Sequence, residues 1–206
     1  MSELAILGGK PVRKEPFPAY VTIDFAQGMP TAVNGVMMPL LELIASLETI
    51  AGAHGVGRID MMENRLVGIK SREIYEAPAA VVLHAAHREI ERLVIPRDLD
   101  RIKTGLSSVY PDLVYTGLWF TPTRRAVDAL VADIQPRVTG AVRLRLFKGN
   151  CRVVGRKSPY ALYEEALSTY DKGDQFDHGA AEGFIKIWGL PVELAAKVGP
   201  NVSDQG

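Results

Sequence analysis

Between residues 58 and 76 the chain concentrates groups that can do chemistry: Arg58, Asp60, Glu63, Asn64, Arg65, Lys70, Ser71, Arg72, Glu73, Tyr75 and Glu76. If 59–69 is extended, Ile59, Met61, Glu63, Arg65, Val67 and Ile69 share one face, because strand side chains alternate. Glu63 is then a carboxylate on a mostly apolar face, and a carboxylate withdrawn from water needs a partner. Two partners suit it. One is Arg65, in a structural ion pair or at a strand bulge; the other is the ammonium of a ligand. Pattern alone leans to the ion pair.

Other groups invite chemistry less. The glycine-rich run Gly52 to Arg58 lacks the spacing of a phosphate loop, and no lysine follows it. It also follows an expected helix, whose C-terminal end repels anions. A helix cap feeding a strand is the better reading. His84 and His87 stand three apart on an expected helix, but no third ligand in a companion motif completes a metal site. His54 and His178 belong to no such motif. Cys151, beside a turn, reads as a small apolar filler rather than a nucleophile. Arg137, Arg143, Arg145, Lys148, Arg152, Arg156 and Lys157 crowd one hairpin. A basic ribbon can touch phosphates, but this one lacks interleaved exposed aromatics for base stacking. A solvated or subunit-interface face fits it better. Tyr115, Trp119 and Phe120 are expected in the core or at an interface.

The elements that must hold these groups can be read from periodicity. Val21, Ile23 and Phe25 alternate with polar residues as a half-buried strand, returned through Gln27 and Gly28 to a second over Thr31 to Asn34. Met37 to Ala53 is a helix whose apolar stripe is Leu40, Leu41, Leu43, Ile44, Leu47 and Ile50. Val56 to Ile69 is a strand pair or a bent strand. Helices are expected over Ala77 to Leu93, over Asp98 to Gly117 with a break near Pro111, and after a Thr121 or Thr123 cap. The last buries Ala126, Val127, Leu130, Val131 and Ile134. Val138 to Gly155 is a hairpin turning at Lys148 to Asn150. Short helices follow over Tyr160 to Tyr170, Ala181 to Gly189 and beyond Pro191. The mixed order of strands and helices predicts an α+β domain with an antiparallel or mixed sheet and several packed helices.

Composition narrows the partners. Of 206 residues 47% are hydrophobic, enough for one sizeable core. Lys plus Arg equals Asp plus Glu at 24 each, so no net field draws the chain to nucleic acid or anionic lipid. No apolar run approaches the ~20 residues of a membrane-spanning helix, and the opening residues carry no secretory pattern. Cys151 is the only cysteine, which excludes an internal disulfide and fits a reducing cytoplasm.

Longer words in the chain carry a family resemblance. HGVGRID at 54–60, ENR at 63–65, VGIKSR at 67–72, IYEAP at 74–78 and DLVYTGLWF at 112–120 resemble argininosuccinate synthase. So do VTG at 138–140, LFKGN at 146–150, VGRKSPY at 154–160 and EGFIKIWGL at 182–190. They run in order from about Tyr20 to Pro191. The resemblance implies three parts: an unmatched arm over 1–19, the synthase C-terminal domain over 20–191, and a tail over 192–206. The arm's residues Ser2 to Arg13 faintly resemble the opening of sugar aminotransferases that use pyridoxal phosphate, without a catalytic lysine motif.

That family joins citrulline to aspartate with ATP through a citrullyl-adenylate. By resemblance Glu63 and Tyr75 match citrulline-binding positions: a carboxylate can hold an α-ammonium, and a phenol can bond the polar head. The family's phosphate-binding loop, aspartate-binding segment and citrulline-binding serines have no counterpart in the sequence. The expectation is therefore a citrulline-binding and oligomerisation part. It would hold no ATP or magnesium itself and need a nucleotide-binding half or a full-length synthase as partner. The alternative is a non-catalytic oligomerisation module.

Overall fold

Alternating apolar residues build the main sheet. In β1 (Ala19–Ala26) Val21, Ile23 and Phe25 are buried, while Thr22 and Asp24 between them are only half-buried. In β6 (Gly140–Phe147) Val142, Leu144 and Leu146 are buried around Arg143 and Arg145. The two strands pair antiparallel, with Val21 opposite Leu144 and Ile23 opposite Val142, so their apolar sets share one face. The chain is described by a computed structural model covering residues 16–168 and 177–198. β2 (Met29–Val33), β3 (Val36–Met37) and β7 (Asn150–Lys157) complete the sheet in the order β3-β2-β1-β6-β7.

Three of its turns place two successive residues at positive φ: Gln27 and Gly28, Asn34 and Gly35, Lys148 and Gly149. Such turns match the right-handed twist of the strands they join. Asn34 adds a side-chain bond, its Oδ1 accepting the Thr22 amide at 2.8 Å.

Two helices cover the apolar face. α1 (Leu40–Ala53) buries Leu43, Leu47 and Ala51; α2 (Pro78–Val94) buries Val82, Ala86, Ile90 and Val94 among others. They join the β1 and β6 residues in one core. Each fully buried Leu, Ile or Val contributes about 1.5–3 kcal/mol. The stripe read for α1 is wider than the face it buries: Leu40, Leu41 and Ile44 are exposed. The N-cap of α2 is Ala77, which has no capping group. Glu48 of α1 supplies one, its carboxylate accepting the Ala79 amide at 3.0 Å. One of the otherwise orphaned amides of the first turn is thereby satisfied.

The segment after α2 folds as α3 (Arg97–Leu106), α4 (Val109–Tyr115), α5 (Pro122–Ile134) and a 3-10 turn, Gln135–Arg137. The break falls at Ser107 and Ser108, not near Pro111. Pro111 sits in the first turn of α4, where its missing N–H is no loss. α5 starts after Thr121, whose hydroxyl donates to the Leu118 carbonyl instead of capping the helix. Of the five residues read as its apolar face, Val127 and Ile134 are buried.

Residues 163–206 form a second unit, described by itself. It contains α6 (Glu165–Ser168) and α7 (His178–Val198). A helix over Tyr160 to Tyr170 was expected; residues 161–164 are not helical, Glu165–Ser168 are, and 169–170 lie outside the described residues. The expected helices on either side of Pro191 are one, with Pro191 inside it. The helices and strands follow in mixed order and both sheets are antiparallel, so the α+β class expected from the sequence is the observed one.

Candidate functional site

Residues 58–76 form a separate two-stranded sheet, β4 (Arg58–Asn64) and β5 (Lys70–Glu76). β4 ends at Asn64. Residues 65–69 make the turn, closed by the Arg65 amide on the Ile69 carbonyl at 2.9 Å and the Gly68 amide on the Arg65 carbonyl at 2.8 Å. Val67 and Ile69 are therefore turn residues, not members of an extended face.

The base of this hairpin is anchored at two points. The Ala77 amide donates to the Gly57 carbonyl at 2.9 Å, closing β5 back onto the start of β4. The Gly149 amide, in the β6–β7 turn, donates to the His54 carbonyl at 2.8 Å. Gly57 has φ +105°, and a Cβ there would meet Cα of Pro78 at 2.3 Å. Only glycine allows the backbones to approach this closely.

Register sorts the hairpin into two faces. Ile59, Met61 and Glu63 stand opposite Tyr75, Glu73 and Ser71. On this face the Tyr75 hydroxyl donates to Oε1 of Glu63, and Glu63 retains 15% of its side-chain exposure. Arg65 reaches back from the turn. Its Nε donates to Ser71 Oγ at 2.8 Å, its Nη2 pairs with Glu73, and its Nη1 stands 3.9 Å from Oε2 of Glu63. Glu63 thus lies beside both a phenol and a guanidinium. The face is less apolar and less covered than the pattern suggests, since Ile59 and Met61 are exposed. On the other face Arg72 holds Asp60 with two bonds, at 2.8 and 2.6 Å.

The electrostatics follow these contacts. The hydrogen bond to Glu63, then desolvation and the nearby carboxylate charges, push the Tyr75 phenol above its usual value; Arg65 opposes them. Glu73, ahead of Glu63 and Tyr115, raises the Arg65 guanidinium still further above its already high value. Arg72 holds the Asp60 carboxyl below the ordinary range through its hydrogen bonds.

The remaining candidates are engaged elsewhere. His87 packs edge-on against Phe25, with Nε2 3.2 Å from Gln135 Oε1 and Nδ1 3.5 Å from Glu91. Among the described residues no three His, Cys, Asp or Glu side chains gather to hold a metal ion. His54 is buried with its Nδ1 unbonded. Cys151 is half-buried, and burial pushes its thiol up, which opposes nucleophilic use. Two aromatics lie beside the basic hairpin, Tyr20 of β1 under Arg143 and half-buried Phe147 near Arg145 and Lys148. Arg156 pairs with Glu89 at 2.7 Å. Tyr115 and Phe120 are not core residues; both are exposed. Trp119 packs against Tyr110 and under Arg124.

Two groups were missed in the sequence. Tyr115 of α4 stands beside Arg65, and its aromatic character alone could not reveal that neighbour. Buried Glu91 accepts Lys103 of α3 at 2.8 Å; its spacing of four from His87 was the available signal.

Fold and site together define an α+β domain that carries a carboxylate, a phenol and a guanidinium on a hairpin outside its main sheet. Residues 7–195 match the family model described as arginosuccinate synthase C-terminal domain. The argininosuccinate synthase of Symbiobacterium thermophilum is 57% identical over 181 residues, covering 88% of this chain and 45% of the relative. Those of a Synechococcus species and of Dehalococcoides mccartyi are 54% and 52% identical, covering 92% and 95% of the chain. The chain belongs to the argininosuccinate synthase family. It spans about half the length of the curated relatives it matches.

Proposed function

We propose that this chain supplies the citrulline-facing part of an ATP-dependent carbon–nitrogen ligase that joins citrulline to aspartate in arginine biosynthesis. The observation that carries the reading is the convergence of Glu63 and Tyr75 on one face of the β4–β5 hairpin. A carboxylate that accepts a phenol at one oxygen keeps lone pairs at the other for an ammonium. The phenol oxygen, while donating to Glu63, can still accept from the ligand's polar head. A charge-assisted bond of this kind is worth roughly twice a neutral one.

The described residues do not fit ATP with magnesium. The Gly52–Gly57 loop runs out of the C-terminal end of α1 into β4, where the helix dipole disfavours phosphate. Carboxylates do not cluster to take a metal among the described residues. On this reading nucleotide chemistry falls to residues outside these, in the same polypeptide or in another. The sole cysteine suits a cytoplasmic setting, and no helix among the described residues is long and apolar enough to cross a membrane.

The test is complementation. The chain is mixed with the nucleotide-binding segment of a relative, ATP, citrulline and aspartate, and pyrophosphate is measured. Release is expected only from the mixture, and none above either part alone would reject the reading. A second reading, an oligomerisation module, is favoured by α7, whose Phe184, Ile185, Ile187 and Trp188 are exposed.

A further inference from the structure

We infer that Arg65 is the positioning residue for Glu63: anchored by Ser71 and Glu73, it aims the carboxylate and leaves one oxygen free for a ligand ammonium. The naming of that ligand as citrulline rests on the function proposed above; the positioning role does not.

Three observations carry it. First, the guanidinium is fixed from both sides. Its backbone closes the turn through bonds to Ile69 and Gly68, while Nε and Nη2 are taken by Ser71 and Glu73. A planar fork held at two points has little freedom to swing. Second, Nη1 stands 3.9 Å from Oε2 of Glu63. That is too long for a hydrogen bond and close enough for charge attraction. Oε1 is already bonded by Tyr75. The carboxylate is thus oriented through one oxygen and steadied through the other, without losing the second oxygen's acceptor capacity. Third, the local charges balance for one cation. Glu63 and Glu73 against Arg65 leave one negative charge, while Asp60 and Arg72 cancel on the other face. Tyr115 of α4 adds a contact beside Arg65.

An alternative role predicts the opposite sign. Were Arg65 only a competing cation, its removal would double the negative charge and tighten the grip on an ammonium. Positioning predicts a weaker grip, because Glu63 is released to turn toward water.

The experiment uses the full chain with 13Cζ-labelled tyrosine, the Tyr75 resonance being assigned through Y75F. In folded R65Q the Tyr75 ionisation is expected to move to lower pH, since a released Glu63 gives up the hydrogen bond that is the first cause of its rise; a move to higher pH, which loss of the opposing cation alone would give, overturns the inference. In R65K, which keeps the charge but not the fork, it is expected to move the same way. A folded R65Q whose Tyr75 titrates as in wild type overturns the inference. Should R65Q fail to fold, R65K decides on geometry. With the nucleotide-binding segment of a relative added, R65K is expected to raise the citrulline KM about tenfold with kcat nearly unchanged, because a lysine cannot hold Ser71 and Glu73 together. An unchanged KM in R65K, or a lower KM in R65Q, overturns the inference. A wild-type mixture that ignores citrulline rejects the ligand reading instead, and the substrate-free Tyr75 titration then judges Arg65 alone.

Discussion

Glu63 differs from the other carboxylates of its hairpin in what surrounds it. Asp60 is neutralised by two bonds from Arg72, and Glu73 by direct pairing with Arg65. Glu63 has a phenol on one oxygen and a guanidinium only within charge range of the other. It is less committed than either of these two; Glu76, at the base of the hairpin, stands 3.7 Å from Arg58. Glu63→Gln is therefore expected to weaken citrulline binding at least tenfold while leaving the fold intact, since an amide accepts less strongly and carries no charge. Titration calorimetry on the reconstituted complex checks this. The same variant should bring the Tyr75 ionisation back down, because the hydrogen bond to Glu63 is the first cause of its rise. A Glu63→Gln chain that binds citrulline as wild type does would remove Glu63 from the site. Residue reading reached Glu63 and Tyr75 through short words of sequence, and reached Arg65 only as a partner in an ion pair. The bonds that give Arg65 its place come from Ser71 and Glu73, on a strand that periodicity did not resolve.

At the scale of elements, that strand is instructive. β5 reads Lys70, Ser71, Arg72, Glu73, Ile74, Tyr75, Glu76, with no apolar alternation, because neither of its faces is covered by the main core. Strands β1 and β6 were legible because one face of each is buried. The break between α3 and α4 was misplaced for a similar reason. A proline marks a forbidden interior, and Pro111 lies in a first turn where it is allowed. What sets the hairpin's position is a backbone contact, and Gly57→Ala should expose it. The added Cβ would lie 2.4 Å from the nitrogen of Pro78, in a backbone conformation that L residues rarely adopt. The expected cost is roughly 2 kcal/mol or more, read as a lower denaturation midpoint. α3 offers a second test. It buries no residue of its own, and Lys103 ties it to buried Glu91. Burial pushes the Glu91 carboxyl up, but hydrogen bonds and charges from His87 and Lys103 outweigh it and the net direction is down. An acid depressed by folding stabilises above its ordinary value of 4.5 and loses that contribution as pH falls through the lower folded value. The stability advantage of wild type over Glu91→Gln should accordingly be full at neutral pH and vanish in acid, measured as the difference in urea midpoints.

At the scale of the molecule, two sets of apolar residues stand out. One is the core between the main sheet and helices α1 and α2. The other is exposed along α7, where Ile185, Ile187 and Trp188 are each about 70% exposed, at 68%, 70% and 73%. Phe184 and Trp188, one turn apart, stack at 5.5 Å, so the aromatic surface is ordered within the helix itself. None of the described residues of α7 is buried. Exposed aromatic and aliphatic side chains along one helix of 21 residues are of the kind that another surface covers. Pro191 does not interrupt it, although it removes the amide that would bond the Ile187 carbonyl. Burial against another surface would offset such a defect. If that surface is a second copy, light scattering on the chain should give a mass that is a multiple of one chain. Trp188→Glu should return it to one, because a carboxylate buried in an apolar contact lacks a partner. A wild-type chain that remains a single copy at high concentration would refute self-association through α7 and leave the exposed helix for a different partner.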